Sequence, residues 1–154
     1  RRMGALIVFE RNTKLGEIVN SGTIVDADPT GELIGNIFFN KAPLHDGAMI
    51  MRDGRVYAAG CILPLTDNQT ISSDLGTRHR AAVGMSENSD AIVVVVSEET
   101  GTISMAVSGD LKRNFSIEAL RVALENGMLV DHSRSEEEDG TKPRFRLFGR
   151  RKSK

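Results

Sequence analysis

Short apolar runs alternate along this chain with segments of helical periodicity, a pattern typical of a β-sheet covered by helices. Residues 4–10, 49–51 and 92–96 are apolar and are bounded by polar or turn-forming residues. The run 92–96 contains only isoleucine and valine, and it predicts a strand buried on both faces. Residues 103–107 have alternating apolar positions and predict a further strand beyond a turn.

Helical spacing of apolar residues predicts several helices between these strands. The first covers Leu15 to Val19, and the second begins with Asp28 as its N-cap and Pro29 at its first helical position. The last begins at Ser116 and is expected to stop at Asn126-Gly127. Together the elements predict an α/β fold, a single domain whose central mixed and largely buried sheet is flanked by helices on both faces.

The connections between elements are predicted from their turn residues. Asp53-Gly54 joins residues 47–52 to residues 55–63 and predicts a two-residue hairpin, because such turns need positive φ angles that Asp and Gly tolerate. Thr23 to Val25 predict a brief strand. Residues 109–114 are polar and predict a loop.

Length and composition restrict the class of protein. With 154 residues, 40% of them hydrophobic, the chain can bury one substantial core. We predict one globular domain over residues 1–130 and a charged, disordered tail over residues 131–154. Cys61 is the single cysteine, which excludes an internal disulfide and fits a reducing compartment. The sequence has no run of about 18 apolar residues that would span a membrane.

Charge is distributed unevenly along the chain. Residues 1–135 carry 13 Lys/Arg and 17 Asp/Glu, a net charge of −4, and the chain from residue 140 onward carries seven Lys/Arg and no acid. The body therefore lacks the basic surface of a nucleic-acid-binding protein, and we expect no nucleic-acid partner. The basic tail could contact anionic lipid or RNA, although a solubilising terminus is the simpler interpretation.

The sequence PLHDGA at residues 43–48 lies where a loop enters a predicted strand. It places the imidazole of His45 beside the carboxylate of Asp46, and Gly47 allows a ligand or a second backbone to come close. Loops held by a rigid scaffold often carry chemistry. Taken alone, a His-Asp-Gly tripeptide is more simply interpreted as a turn in which His45 caps neighbouring backbone.

A second motif, LGTRHRAAVG, covers residues 75–84 and predicts a helix with Asp74 or Thr77 as its cap. Arg78, His79 and Arg80 then occupy the first turn, where cations oppose the helix dipole at a cost of about 0.3–1 kcal/mol each. This placement favours an anion site, most simply for a phosphate, over a solvated cationic surface. The two arginines are two positions apart and point to opposite sides of the helix, so we expect only one of them to hold the local ligand.

The third motif follows the buried strand. Ser97, Glu98 and Glu99 lie just beyond its carboxyl end, where open α/β sheets bind ligands, although the same residues also predict a hairpin turn. Neither a P-loop nor a GxGxxG motif occurs in the sequence. From the residues alone, the prediction is therefore nucleotide or phosphoester binding, assisted by a metal.

The three motifs, in this order, resemble those of the diadenylate cyclase domain (DAC, or DisA_N), especially its membrane-anchored CdaA/DacA type. The resemblance covers about residues 3–128. It implies that two ATP molecules are condensed into cyclic di-AMP with release of two pyrophosphates, each 3′-hydroxyl attacking the other ATP's α-phosphate across a head-to-head homodimer. It also implies a cytoplasmic catalytic domain anchored in the cell membrane by an N-terminal segment, with which the opening Arg1-Arg2 agrees.

The resemblance also implies roles for individual residues. Asp46, with Gly47 and Ala48, would form the catalytic DGA motif, in which Asp46 accepts or orients the attacking hydroxyl proton. His45 and Asp46 would hold Mn²⁺ or Mg²⁺, and the imidazole favours manganese. Thr77 would bind the triphosphate.

Further roles fall on the later motifs. Arg78 would hold the triphosphate with Thr77, while Ser97 and Glu98 line its far side. His79 and Arg80 complete the family motif and are expected to be catalytic. Leu63 would read the adenine edge with its main chain, and Ile62 replaces a tyrosine often found next to it in related enzymes.

Two other functions remain open at this point. One is a catalytically silent domain of the same fold that senses ATP or the dinucleotide, and the other is a domain that docks on a partner. The family resemblance implies a YbbR-type regulator and phosphoglucosamine mutase as partners, so docking and catalysis can coexist.

Overall fold

A seven-stranded mixed sheet forms the centre of the protein in the computed structural model, which describes residues 3–138, with side-chain burial for residues 3–129. The strands are β1 (Ala5–Phe9), β2 (Thr23–Ala27), β3 (Ala48–Arg52), β4 (Arg55–Cys61), β5 (Ile92–Val96), β6 (Ile103–Val107) and β7 (Asp110–Phe115). The helices of this part of the chain are α1 (Gly16–Asn20), α2 (Gly31–Phe38), α3 (Thr77–Glu87) and α4 (Ile117–Glu138).

Strand β1 lies in the middle of the sheet, whose order is β2-β4-β3-β1-β5-β6-β7. It is parallel to β3, with Ile7 opposite Met49, and antiparallel to β5, with Ala5 opposite Val96. The other neighbouring pairs are antiparallel. The amino ends of β1 and β3 and the carboxyl ends of β4 and β5 therefore lie side by side at one end of the sheet.

Helices cover both faces of the sheet, as the apolar pattern predicts. On one face, α1 and α3 pack on strand residues such as Val8, Ile50 and Val95. On the other, α2 and α4 pack on residues such as Met49 and Val94. The predicted α/β fold with a largely buried mixed sheet is confirmed. Within residues 3–138, no helix combines the length and apolar composition that a bilayer crossing requires.

The predicted N-cap residue is wrong for two helices, α2 and α3. Helix α2 is capped by Thr30, whose hydroxyl accepts from the Leu33 amide at 3.1 Å, while Asp28 accepts from Arg55 at 2.9 Å instead. The N-cap of α3 is Gly76, and no side chain caps that helix end. Neither predicted residue is the cap, since Asp74 lies two residues before Gly76 with its carboxylate bound by the Ser72 hydroxyl, and Thr77 is the first residue of the helix.

Helix α4 begins as predicted, since the Ser116 hydroxyl accepts from the Ala119 amide at 3.0 Å, but it does not stop at Asn126-Gly127. A Cβ on Gly127 would lie 2.6 Å from the Ile92 side chain, so this glycine permits close packing on the sheet. The helix passes the predicted domain boundary at residue 130 and ends at Glu138, and the rest of the predicted tail lies outside the described residues.

The predicted loop at residues 109–114 is also wrong, because most of it forms the edge strand β7. Ser108 and Gly109 have φ angles of 52° and 86°, close to the 52° and 74° of Asp53 and Gly54 in the predicted hairpin. Both pairs therefore make tight turns between antiparallel strands. The polar composition of β7 reflects an edge strand that contributes few side chains to the core.

The packing of α3 against the segment after β4 depends on Gly84. A Cβ at this position would clash with the Pro64 carbonyl oxygen and lie 2.9 Å from the Leu65 carbonyl carbon. The same segment is held by the Thr66 amide, which donates to the Arg80 carbonyl at 3.1 Å. Close backbone contact thus fixes the position of α3, the helix that carries most of the second motif, residues 75–84.

Gly84→Ala is expected to lower the free energy of unfolding by about 1–3 kcal/mol, because overpacking outweighs the better helix propensity of alanine. Gly35→Ala is the matched control, since Gly35 is helical and nothing lies within 4 Å of its added Cβ. The control is expected to raise stability by about 0.5–1 kcal/mol. Urea denaturation of both variants measures the difference, and equal shifts of the two midpoints would contradict this description of the α3 contact.

Candidate active site

A cavity of about 840 Å³ opens at the end of the sheet where the ends of β1, β3, β4 and β5 lie side by side. Of the eleven residues to which the family resemblance assigns a role, nine line it: His45, Asp46, Gly47, Leu63, Thr77, Arg78, His79, Ser97 and Glu98. The three motifs, which are separated by tens of residues in sequence, therefore share one cavity. Ala48 and Arg80 do not line it.

The loop before β3 orients His45 and Asp46 differently. The His45 amide donates to the Ala42 carbonyl at 3.0 Å, and Nδ1 lies 2.8 Å from the same oxygen. Because a carbonyl can only accept, Nδ1 carries the hydrogen, and Nε2 keeps its lone pair in the neutral ring. Nε2 lies 3.4 Å from Asp46 Oδ1, and the Asp46 side chain is 89% exposed. One nitrogen lone pair and one carboxylate thus face the same solvent-filled space.

The small residues after Asp46 serve close packing. Gly47 has a φ of +99°, and a Cβ there would lie 2.7 Å from the Cys61 carbonyl oxygen. Ala48 is fully buried as the first residue of β3 and pairs with Cys61. The DGA motif therefore contributes one reacting group, Asp46, and two positions that let its loop pack on β4.

Helix α3 points its amino end into the cavity. Because its N-cap is Gly76 and no side chain caps it, the amides of its first turn remain open to a ligand. Arg78 Nη1 lies 3.5 Å from Glu98 Oε1, which joins the helix to the turn after β5. Gly4 lies beneath this pair, and a Cβ on Gly4 would come within 2.7 Å of Arg78 Nη1. The missing side chain thus makes room for the guanidinium.

His79 and Arg80 differ in position, as helical geometry predicts for neighbouring residues. His79 is 7% exposed, and burial lowers its pKa, assisted by the charges of Arg113 and Arg78 and opposed by Asp74. The ring is therefore neutral at neutral pH. Arg80 lies outside the cavity wall, and its backbone holds the helix in place: its amide donates to the Gly76 carbonyl at 3.2 Å and its carbonyl accepts from the Thr66 amide.

The turn after β5 forms the predicted hairpin and also lies at the cavity. The Ser97 amide donates to the Thr102 carbonyl at 3.0 Å, and the Gly101 amide donates to the Ser97 carbonyl at 2.9 Å, which closes the β5–β6 hairpin. The same turn presents Ser97 and Glu98 to the cavity. The hairpin and the polar site are one structure.

The end of β4 supplies an apolar wall. Leu63 is buried, while Ile62 is 70% exposed and its amide donates to the Ser21 hydroxyl at 2.9 Å. Burial raises the pKa of the Cys61 thiol to about 11, so the thiol is protonated and acts as part of this wall. A planar apolar group of a ligand would fit beside these side chains.

Two charged residues that sequence reasoning missed also line the cavity. Arg113 extends from β7, and its Nη2 lies 3.9 Å from Asp74 Oδ2. Arg113 was missed because residues 109–114 were interpreted as a loop, and Asp74 because it was interpreted as a cap. The Ser108-Gly109 pair was the signal that could have identified β7.

His45 and Asp46 are the side chains that could hold a divalent metal. Among the described residues, no group of three or more His, Cys, Asp and Glu side chains is arranged as a metal site. A pair of protein ligands fits an ion that takes its remaining ligands from nucleotide phosphates and water. The free Nε2 of His45, oriented by a backbone carbonyl behind it, has the geometry usual for a ligating imidazole.

Comparisons with known proteins agree with this geometry. "Cyclic di-AMP synthase CdaA" of Bacillus subtilis is 50% identical over 125 residues, which are 81% of this chain and 46% of that protein. "Diadenylate cyclase" of Listeria monocytogenes is 45% identical over 124 residues, 80% of this chain and 45% of that protein. The chain therefore spans about half the length of these relatives.

A solved structure gives the same fold. The crystal structure of a double mutant of DacA from Staphylococcus aureus superimposes with a TM-score of 0.81 at 48% identity, covering 82% of this chain and 85% of that one. A family model described as "DisA bacterial checkpoint controller nucleotide-binding" matches residues 1–111. The family predicted from the three motifs is thus confirmed, and the chain belongs to the DAC family.

Proposed function

We propose that this chain is the catalytic domain of a diadenylate cyclase, which condenses two ATP molecules into cyclic di-AMP and two pyrophosphates. The observation that carries the proposal is the single cavity in which Asp46 and His45 face the open amino end of α3, Arg78 and Glu98. The activities for which the relatives are named, cyclic di-AMP synthase and diadenylate cyclase, support the same reaction.

The two ends of the cavity suit the two ends of ATP. Adenine would lie against the apolar wall of Leu63 and Ile62, and the main chain of Leu63 would read its polar edge. The triphosphate would lie at the amino end of α3, where open amides, the helix dipole and Arg78 favour anions. Thr77, Ser97 and Glu98 complete this polar end.

The reaction is a displacement at phosphorus. The 3′-oxygen of one ATP forms a bond to the α-phosphorus of the other, the bond from that phosphorus to the β-bridging oxygen breaks, and pyrophosphate leaves with the electron pair. Asp46, whose carboxylate is exposed to the cavity, accepts the proton of the attacking hydroxyl. When bound by His45 and Asp46, Mn²⁺ or Mg²⁺ would neutralise charge on the phosphate oxygens.

The product requires two chains if each cavity of this kind holds one ATP. A single bound ATP has no acceptor phosphate in its own site, so two cavities must face each other with two-fold symmetry. The exposed side chain of Asp46 lies where an incoming hydroxyl from a second chain could reach it. Activity is thus a property of the head-to-head homodimer.

Asp46→Asn is expected to abolish cyclic di-AMP formation, a loss of at least about 100-fold, while ATP still binds, because the amide cannot accept the hydroxyl proton. Asp53→Asn is the matched control, since Asp53 lies in the β3–β4 turn at the opposite end of the strands from the cavity. Asparagine also tolerates its positive φ of 52°. Chromatography of the product and calorimetry of ATP binding measure the two effects. Normal cyclisation by the Asp46 variant would disprove its assigned role.

Dilution is expected to reduce activity per chain steeply below the dimer dissociation constant, because monomers cannot form the product. The rate per chain should be measured across a wide concentration range, with the oligomeric state determined in parallel by analytical ultracentrifugation. A constant rate in a sample that is demonstrably monomeric would rule out the dimer mechanism.

Gly4→Ala is expected to lower activity at least about tenfold with little change in stability, because the new methyl displaces the flexible Arg78 guanidinium by van der Waals contact. Gly16→Ala, where nothing lies within 4 Å of the added Cβ, is the control and should retain activity. Product assays and thermal melts of both variants test this. Full activity of the Gly4 variant would show that the position of Arg78 does not limit the reaction.

A further inference from the structure

Arg113 reaches the cavity from a strand that otherwise contributes little to it. Strand β7 lies at the sheet edge, and Arg113 is its one residue in the cavity wall. The Arg113 side chain is 41% exposed, so it is available to a ligand. It approaches from β7, whereas Arg78 approaches from α3, so the two guanidiniums enter the cavity from different elements.

A β-bulge directs Arg113 toward the cavity. The register of β6 and β7 shifts between Ile103 and Met105, opposite Arg113 and Asn114, and Asn114 has a φ of +68°. Because of this extra residue, Leu111 packs on the α3 face of the sheet while Phe115 packs on the α4 face. The side chain of Arg113 lies on the α3 face of the sheet, as that of Leu111 does. Bulges of this kind often re-aim a side chain beside an active site.

The contact that Arg113 makes in this structure is weak. Its Nη2 lies 3.9 Å from Asp74 Oδ2, which is beyond hydrogen-bonding distance, and the Asp74 side chain is 67% exposed. Exposed pairs of this kind contribute little to stability. Asp74 has a closer partner in the Ser72 hydroxyl. A phosphate, with more charge and three acceptor oxygens, would therefore compete effectively for this guanidinium.

His79 lies within electrostatic range of both Arg113 and Arg78, and all three residues line the cavity. Both guanidiniums lower the pKa of the His79 ring, and Arg113 has the larger influence of the two. Asp74 acts on the ring in the opposite direction. His79, Arg78 and Arg113 all line the cavity into which the amino end of α3 opens, where the proposed triphosphate would be bound.

We propose that Arg113 binds the terminal phosphates of the nucleotide and stays with the pyrophosphate as it leaves, with Asp74 holding the guanidinium before the nucleotide arrives. This inference rests on the proposed function and adds a residue to it. Arg78 serves the α-phosphate side beside Glu98, and Arg113 serves the β- and γ-phosphates from β7.

The test compares nucleotides of different phosphate length on the full chain. Binding of 3′-deoxy-ATP and 3′-deoxy-AMP with Mg²⁺ is measured by calorimetry, because these analogues lack the attacking hydroxyl and cannot be cyclised. Arg113→Gln is expected to weaken triphosphate binding at least about tenfold and to leave monophosphate binding unchanged. Lys112→Gln removes the same charge from the neighbouring position of β7, which does not line the cavity, and should alter neither.

Two more variants separate phosphate binding from a structural role. Arg113→Lys should recover part of the triphosphate affinity because it restores the charge. Asp74→Asn should bind the triphosphate as tightly as wild type or more tightly, because the competing carboxylate is gone. A structural Arg113–Asp74 pair would instead make both Arg113→Gln and Asp74→Asn weaken the two nucleotides alike and lower the melting temperature.

The outcomes distinguish this inference from the proposed function. If wild type binds 3′-deoxy-ATP and forms cyclic di-AMP from ATP, but Arg113→Gln and Lys112→Gln behave alike, the role of Arg113 is wrong and the cyclase assignment stands. If wild type binds no triphosphate, both fail. Selective loss of triphosphate binding in Arg113→Gln, with partial recovery in Arg113→Lys, supports the inference.

Discussion

The register of β1 between β3 and β5 is the constraint on which the site depends. Parallel pairing with β3 brings the loop at His45 and Asp46 to the end of the sheet where β1 begins. Antiparallel pairing with β5 brings Ser97 and Glu98 to that same end. A strand shifted by one residue would turn its apolar side chains to the wrong face, so core burial enforces this register. The convergence of distant motifs is thus a consequence of packing.

Electrostatics at the amino end of α3 are unfavourable for the empty protein and favourable for a bound polyanion. Cations in the first helical turn oppose the dipole, and no side-chain cap offsets them. The protein relieves part of this cost by keeping His79 neutral through burial and by placing Glu98 and Asp74 beside the guanidiniums. Both acids are exposed, so we expect a phosphate to compete with them for the guanidiniums. We therefore expect this arrangement to lower the stability of the empty protein slightly and to raise its affinity for a polyanion.

Much of the fold was predictable because its signals are local. The isoleucine-valine run of β5, the Asp53-Gly54 turn and the helix faces follow from periodicity and turn chemistry, and the motifs identified the family. The errors lie where tertiary packing overrides local preference. Gly127 continues α4 because it fits against Ile92, and the polar strand β7 forms because Ser108-Gly109 reverses the chain. The proposed role of Arg113 depends on a bulge, and bulges leave little trace in sequence.

The measurement that tests the central claim most directly is a crystal structure of the dimer with 3′-deoxy-ATP and Mn²⁺. The account predicts the triphosphate at the amino end of α3 within hydrogen-bonding distance of Arg78, the metal on His45 and Asp46, and the two nucleotides facing each other across the two-fold axis. A nucleotide bound away from this cavity, or an α-phosphate remote from the partner nucleotide's ribose, would contradict it.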